Sequence, residues 1–419
     1  MLELLIRPSL GDHKVLADLM APSPLAGRRP IDRLVLNAHD IARSDDLIDA
    51  ARRSGTAVII DPLTMLLQGQ IDPQDPWVLH VSFGQADAVA DDLLTNPFWL
   101  DELVARAVEF QVDRGATAIV APYFYADRPD SPAFGASLAA IGRTARRMRT
   151  DGVALPLIVV LCAQLQGFAH RLGWQAALDR FAAAAIDVGP QAIALHLSPV
   201  GDGGESYAKL LDLLVAARHL RSAGTPVIAW RQGVYGPALV AAGLDGYECG
   251  MGIGEHANVR GFINTRKPRD KDGPAFAAQG TYIPVLGRSL PPKVARVLFE
   301  DRRLRGRLIC DSVRCCPHGT DSMLISKGRR HAVRARARAL QELADIPNAD
   351  WRLNHIAKQA ASAYVIATKA NELLETTELP NRIKTDGYAA LEQVAEFLRT
   401  RGPGSVRDSA SDEAGPSRS

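Results

Sequence analysis

At 419 residues the chain can hold one barrel-sized domain with an appendage, and a balance of 47% hydrophobic to 23% charged residues excludes a disordered or low-complexity chain. It contains no apolar run of roughly 18 residues, which excludes a hydrophobic transmembrane helix, and its N-terminus, MLELLIRPSL, does not read as a secretory signal. Five cysteines, three of them within seven residues (Cys310, Cys315, Cys316), exclude a paired disulfide framework and point to a cytoplasmic protein with a metal or thiol cluster.

From about residue 33 to 255, short apolar β-branched runs alternate with amphipathic helical stretches. The runs predict strands at 33–39, 56–61, 77–83, 117–123, 156–162, 191–197, 226–231 and 244–249. The run at 77–83 is the weakest of these, and LELLIRP (2–7) or TYIPVL (281–286) are its replacements. Most helical stretches end in a glycine just before the next strand, the position of a left-handed C-terminal cap. Continuous apolar strands separated by helices specify a parallel sheet, and eight of them predict an α/β TIM-type (β/α)8 barrel, with an open doubly wound sheet as the competing outcome. The barrel is expected to occupy 1–255. Residues 256–309, rich in Pro, Gly and Arg, read as an irregular basic connection that could close the barrel. Residues 310–400 read as a Cys/His module followed by helices at about 328–345, 350–376 and 386–400, and 401–419 as a disordered tail.

Charge is segregated along this order. Residues 260–338 hold 19 Lys/Arg against 6 Asp/Glu, a net +13, so the rest of the chain carries −11. A basic segment of this kind has a polyanion as its natural partner, and the helix carrying Arg329, Arg330, Arg334, Arg336 and Arg338 is the expected phosphate-contacting surface.

In a parallel barrel the reactive groups collect at the C-terminal ends of the strands. The polar residues there include His39, Asp40, Asp61, Tyr123, Tyr125, Gln164, Gln166, His196, Arg231, Gln232 and Glu248. Asp61 and Glu248 would face one cavity, and a carboxylate pair can divide nucleophilic and acid/base roles when its environments separate. In CDSVRCCPHG, three cysteines stand close enough to bind one ion, with His318, His331 or His355 to complete a tetrahedral site.

Taken together, IIDPLTMLLQG, NAHDI, LCAQLQG, LHLSPVGDGGE, AAGLDGYECG and the Cys cluster with LNHIA resemble, in collinear order over about 33–375, the tRNA-guanine transglycosylase superfamily. The resemblance implies a base-exchanging barrel followed by a structural zinc module. Glu248 takes the place of the nucleophilic aspartate, and Asp61 that of the aspartate after the second-strand segment. Glu205 loosely matches a glutamate closing a Gly-rich strand end. Tyr123 and Tyr125 would stack on the base, Gln164 or Gln166 would read its edge, and His196 and Arg231 would complete the substrate site. Cys310, Cys315, Cys316 and His355 would bind zinc. The partners implied are tRNA or DNA, a small-molecule base and a second copy of the chain as a homodimer, with no membrane. The chain departs from the family in three places: glutamate replaces the nucleophilic aspartate, YFYADRP replaces an aspartate-bearing segment, and the cysteines are spaced C-x4-C-C. The competing readings are a barrel lyase or hydrolase acting on a small anionic metabolite through Asp61, His196 and Glu248, and an inactive nucleic-acid-binding relative.

Overall fold

The computed structural model describes residues 2–21, 30–169, 173–252, 255–267, 280–326 and 328–401. Its main sheet has eight parallel strands: β1 (Glu3–Ile6), β2 (Arg33–Asn37), β3 (Ala57–Asp61), β4 (Ile119–Val120), β5 (Leu157–Gln164), β6 (Ala192–Ser198), β7 (Val227–Ala229) and β8 (Gly246–Cys249). The order β3-β2-β1-β8-β7-β6-β5-β4 is a ring opened between β3 and β4. An Ile59–Ala118 bridge joins those two edges, making an almost closed TIM-type barrel.

The first strand is ELLI, and residues 77–83 are not a strand. The segment Asp75-Pro76 starts a short helix, Pro76–His80: the Asp75 carboxylate accepts the Trp77 N–H at 2.8 Å and the proline occupies a first-turn position that has no N–H to satisfy. Register couples β1 to β8 through Leu5↔Glu248 and Ile6↔Cys249, so Arg7 emerges beside Glu248 at the mouth. The strands are buried along nearly their whole length, as a parallel sheet covered by helices requires. The surrounding helices include Pro97–Asp113, Pro132–Thr150 and Tyr207–Arg221, whose first-turn N–H groups are capped by Asn96, Ser131 and Ser206.

The stretch expected to be irregular, 256–309, carries several elements. A short helix, Val259–Asn264, lies at the barrel mouth, where Phe262 meets Arg231. A hairpin of β9 (Thr281–Ile283) and β10 (Arg288–Leu290) follows, then helices Pro292–Glu300 and Arg302–Leu308. Among the described residues of this stretch none adds a strand to the barrel sheet, where β1 fills the place between β2 and β8. The helices Gly328–Asp345, Ala349–Glu375 and Asp386–Arg401 stand where the sequence predicts them. A second hydrophobic core, with Ile283, Leu298, Cys310, Cys316, Ala367 and Leu374, holds this module together. Residues 402–419, most of the expected tail, lie outside the described residues. No described helix is long and apolar enough to cross a membrane.

Candidate active site and metal centre

The strand ends converge on one guanidinium. Arg7 Nη2 forms an ion pair with Asp61 Oδ2 at 2.8 Å and donates to Glu248 Oε2 at 2.9 Å, while its Nε donates to Glu248 Oε1 and its Nη1 to Asn37 Oδ1 at 2.6 Å. Both carboxylates are buried, Asp61 at 0% and Glu248 at 1% exposure. Asp61 Oδ1 also accepts the Tyr123 hydroxyl at 2.8 Å and the Leu63 N–H at 3.0 Å, while Trp230 Nε1 reaches Oδ2 at 3.3 Å. Burial opposes charge on Asp61, but Arg7, then Arg231, and the hydrogen bond from Tyr123 outweigh it and hold the carboxyl below its ordinary range. Asp61 is therefore a proton acceptor, not a resting acid.

Among the described residues two that are not glycine have left-handed backbones, Leu63 (φ 54°) and Arg231 (φ 56°), and both flank Asp61. Such conformations cost about 1–3 kcal/mol each and persist where surrounding contacts enforce them, often at functional sites. Arg231 donates to Asn37 Oδ1 at 3.1 Å, lies 3.8 Å from Asp61 and stacks 4.8 Å from the Phe262 centroid. Arg266 stacks on the same ring, also at 4.8 Å, while pairing with Asp75 at 2.7 Å.

The histidines of the mouth are neutral. Burial, then the cations Arg266, Arg231 and Arg7, pulls His39 down to about 2, and its Nε2 accepts from Arg266 at 2.8 Å. Burial, then Arg231, pulls His196 down to about 3, and its Nδ1 lies 3.6 Å from Cys162 Sγ. The Cys162 thiol is itself pushed well above its ordinary value by burial. With both partners forced neutral, this is no thiolate–imidazolium nucleophile.

Tyr123 is buried with its hydroxyl on Asp61, so its task is to orient that carboxylate, not to stack on a ligand. Tyr125 is buried too, at 7% exposure, with part of its side chain in a cavity wall. Gln68 grips its backbone from both sides, at 2.6 and 3.0 Å, and its ring lies 5.8 Å from Arg260. Tyr125, Arg260, Arg128, Lys267, Asp127 and Gln70 help to line an open polar cavity of about 430 Å3 at this end of the barrel. Gln164 ends β5, half-buried, and Gln166 is exposed on the short helix Leu165–Ala169. Glu205 holds the loop after β6: its carboxylate accepts the N–H groups of Gly201 (2.7 Å), Asp202 (3.0 Å) and Gly203 (2.9 Å) and the Tyr235 hydroxyl.

The second centre is a buried group of Cys310, Cys315, Cys316 and His331, with one ligand atom from each within 4.8 Å of all the others. His331, not His355, completes the set. The sulfurs of Cys315 and Cys316 are 3.8 Å apart, and each lies 3.4 or 3.2 Å from His331 Nδ1. Tetrahedral bonds of about 2.3 Å to sulfur and about 2.0 Å to nitrogen give edges of roughly 3.8 and 3.5 Å, so the donors fit a four-coordinate metal ion. His331 Nε2 lies 3.0 Å from the Tyr282 carbonyl oxygen, which can only accept; the proton belongs on Nε2 and the Nδ1 lone pair is turned to the sulfurs. A hydrogen bond from Cys316, aided by His331, pulls the Cys315 thiol down to about 4. His355 lies elsewhere, in the wall of a mainly apolar cavity of about 340 Å3 shared with Tyr235, Leu286 and Tyr388.

No family model matches the chain, and no curated protein matches it. Among solved structures, the carboxyl transferase domain of Rhizobium etli pyruvate carboxylase with pyruvate aligns over 95% of this chain and 61% of that one, at 11% identity and a TM-score of 0.37. The same domain with 3-hydroxypyruvate aligns over 100% of this chain and 63% of that one, at 10% identity and a TM-score of 0.35. The chain thus spans under two thirds of their length, and a likeness this loose carries no argument about chemistry.

The arginines expected to meet nucleic acid are largely engaged within the protein. Arg336 is buried against Glu255 with its guanidinium 3.8 Å from the Tyr282 ring centroid, which removes it from any surface. Arg329 pairs with Asp12 (3.0 Å), Arg330 with Asp18 (3.0 Å) and Arg338 with Asp311 (2.6 Å), while Arg334 donates to the Arg314 carbonyl at 2.9 Å. Helix periodicity shows that these residues share a helix; it does not show which acidic partners the barrel brings to it.

Sequence reasoning missed Arg7, Asn37, Trp230 and Phe262. For Arg7 a signal was present: an arginine directly after the apolar run LELLI is a strand-end residue once that run is read as the first strand.

Proposed function

We propose that the chain is a base-exchanging barrel enzyme of the tRNA-guanine transglycosylase kind, acting on a nucleoside within a nucleic acid. The observation that carries this reading is the pairing of the buried Asp61 and Glu248 across Arg7 at the barrel mouth; an open polar cavity, lined by other residues including Tyr125 and Arg260, lies at the same end of the barrel. In this reading Glu248 attacks the anomeric carbon as the glycosidic carbon–nitrogen bond breaks, and the carboxylate oxygen is freed from Arg7 for that step. Asp61, held ionised, takes the proton that the incoming base loses when it displaces Glu248. Arg7 and Arg231 balance the negative charge of the departing base. Tyr125, largely buried but lining that cavity with Arg260 over its ring, is the aromatic group that meets the base, in place of Tyr123.

The metal in this reading is zinc, held by Cys310, Cys315, Cys316 and His331. Three thiolates and one imidazole form a closed structural donor set, so the ion supplies stability to the module and takes no part in the reaction.

The test is incorporation of labelled purine bases into tRNA and into duplex DNA by the zinc-loaded protein. Incorporation into one of them, abolished by Glu248→Gln in a folded variant, is the expected result. Undiminished incorporation by Glu248→Gln removes it as nucleophile. No incorporation and no binding of base or nucleic acid overturns the proposal. A second reading, a barrel enzyme for a small anionic metabolite, rests on Arg231, whose nearest carboxylate at 3.8 Å is already shared with Arg7. Saturable binding of a small phosphate or carboxylate compound, lost in Arg231→Met and without nucleic-acid affinity, would favour it.

A further inference from the structure

Between the metal centre and the barrel mouth runs a continuous chain of buried contacts. His331 stands on helix Gly328–Asp345, and Arg336 follows it on the same helix. The Tyr282 carbonyl on β9 accepts from His331 Nε2 at 3.0 Å, and the ring of the same tyrosine carries the Arg336 guanidinium at 3.8 Å from its centroid. Arg336 Nη2 then donates to Glu255 Oε2. Glu255 lies six residues beyond β8, and its Oε2 is packed so closely on Gly233, in the loop after β7, that a Cβ there would come within 2.9 Å of it and within 3.0 Å of Cys249 Cβ. The loops so held are those that follow Arg231 and Glu248.

We infer that Arg336 is a positioning residue that couples the metal-holding helix to the β7 and β8 ends of the barrel mouth, with Tyr282 and Glu255 as its two supports. Three features set this contact apart from an ordinary surface ion pair. Arg336 is 1% exposed and its partner's side chain 5%, so the pair is barely screened by solvent. Arg336 is joined to Glu255 through one oxygen; among the described residues its Nε has no acceptor, and the only other donor acting on that carboxylate is the Ser289 hydroxyl. One residue, Tyr282, holds both the metal ligand and the arginine, so loss of the ion releases His331 and the Arg336 platform together. Coupling of this kind is reciprocal: an ion that orders the mouth is itself held more tightly when the mouth is ordered.

The test is hydrogen exchange on the full chain, stripped by chelation and then reloaded with zinc, read at the segments 231–236 and 248–258. In wild type, metal removal speeds exchange in these segments by about tenfold, a common size for coupling between sites, while helix Pro132–Thr150 on another side of the barrel is unchanged. Arg336→Met shows the fast exchange at the mouth even with zinc bound, and stripping adds nothing. Arg336→Lys, which keeps the charge but loses the fork, recovers part of the protection. Zinc also leaves Arg336→Met faster than wild type in a competition with chelator. Should Arg336→Met not fold, Glu255→Gln breaks the same link from the barrel side and must give the same pattern. Unchanged exchange at the mouth on stripping wild type, a uniform rise across the whole barrel, or failure of the protein to take up zinc would each overturn the inference.

Discussion

Replacing Arg7 with methionine tests the central feature of the mouth. Methionine keeps most of the volume but leaves two carboxylates without their shared cation, at positions exposed by 0% and 1%. The two do not lose equally. Asp61 keeps Tyr123, Leu63 and Trp230, with Arg231 at 3.8 Å, whereas Glu248 loses both donations made to it by Arg7. Breaking a buried pair by removing one partner costs about 3–5 kcal/mol, because a charge remains where water cannot reach it. Against a total stability of roughly 5–15 kcal/mol this is a large loss, expected to lower the midpoint of thermal unfolding by roughly 3–6 °C at neutral pH.

The pH dependence gives a sharper reading. In wild type the folded Asp61 carboxyl lies below its ordinary range, so its contribution is present above the unfolded value near 4 and is lost as pH falls through the folded one. In Arg7→Met burial acts on Asp61 with less opposition and raises its folded value, so the variant's deficit grows as pH rises through that value and shrinks on acidification. Denaturant melts of both proteins at pH 7.5 and 4.5 measure this directly. A variant within about 1 kcal/mol of wild type at pH 7.5, when breaking such a pair costs several times that, or a deficit independent of pH, would refute the reasoning. Arg7→Met/Glu248→Leu, which removes the more exposed of the two debts in hydrogen bonding, should recover much of the loss.

Metal analysis of the reloaded protein should find one zinc per chain, lost in Cys315→Ser and His331→Ala and kept in His355→Ala; loss in the last variant would return His355 to the site. Because His39 and His196 are held down to about 2 and about 3, neither should titrate near neutrality, and stability should fall as pH drops below about 6.5, by up to about 1.4 kcal/mol per histidine per pH unit. Either imidazole titrating above pH 5.5 by NMR would contradict this assignment. Glu205→Gln removes the charge from a carboxylate that accepts three backbone N–H groups and a tyrosine hydroxyl, and should destabilise the protein by about 1.5–3 kcal/mol, read by denaturant melts. Cys162, buried and pushed well above its ordinary value, should react with iodoacetamide in the native protein far more slowly than in denaturant.

Local chemistry alone was enough to determine much of this protein. Apolar β-branched runs separated by amphipathic helices specified a parallel barrel, because a strand buried on both faces tolerates no alternation. The last three helices were legible in their periodicity, and the clustering of Cys310, Cys315 and Cys316 announced a metal centre. Asp61 and Glu248 could be placed at one mouth because strand ends in a parallel barrel converge.

Tertiary structure decided what those groups meet. Residues 77–83 are as apolar as a strand, yet Asp75 and Pro76 start a helix there, and the vacant place in the barrel went to β1. That exchange brought Arg7 between the two carboxylates, across 54 residues on one side and 241 on the other. The residues alone leave His318, His331 and His355 open and the resemblance favours His355; the fold instead brings His331 to the sulfurs, its Nδ1 turned toward them by the bond from Nε2 to the Tyr282 carbonyl. Of the arginines of helix Gly328–Asp345, read as a polyanion surface, the fold buries Arg336 against Glu255 and sets Arg329 and Arg330 beside Asp12 and Asp18. Residue type and spacing specify what a group can do, whereas its charge state and its availability depend on neighbours brought from far along the chain, which local periodicity does not encode.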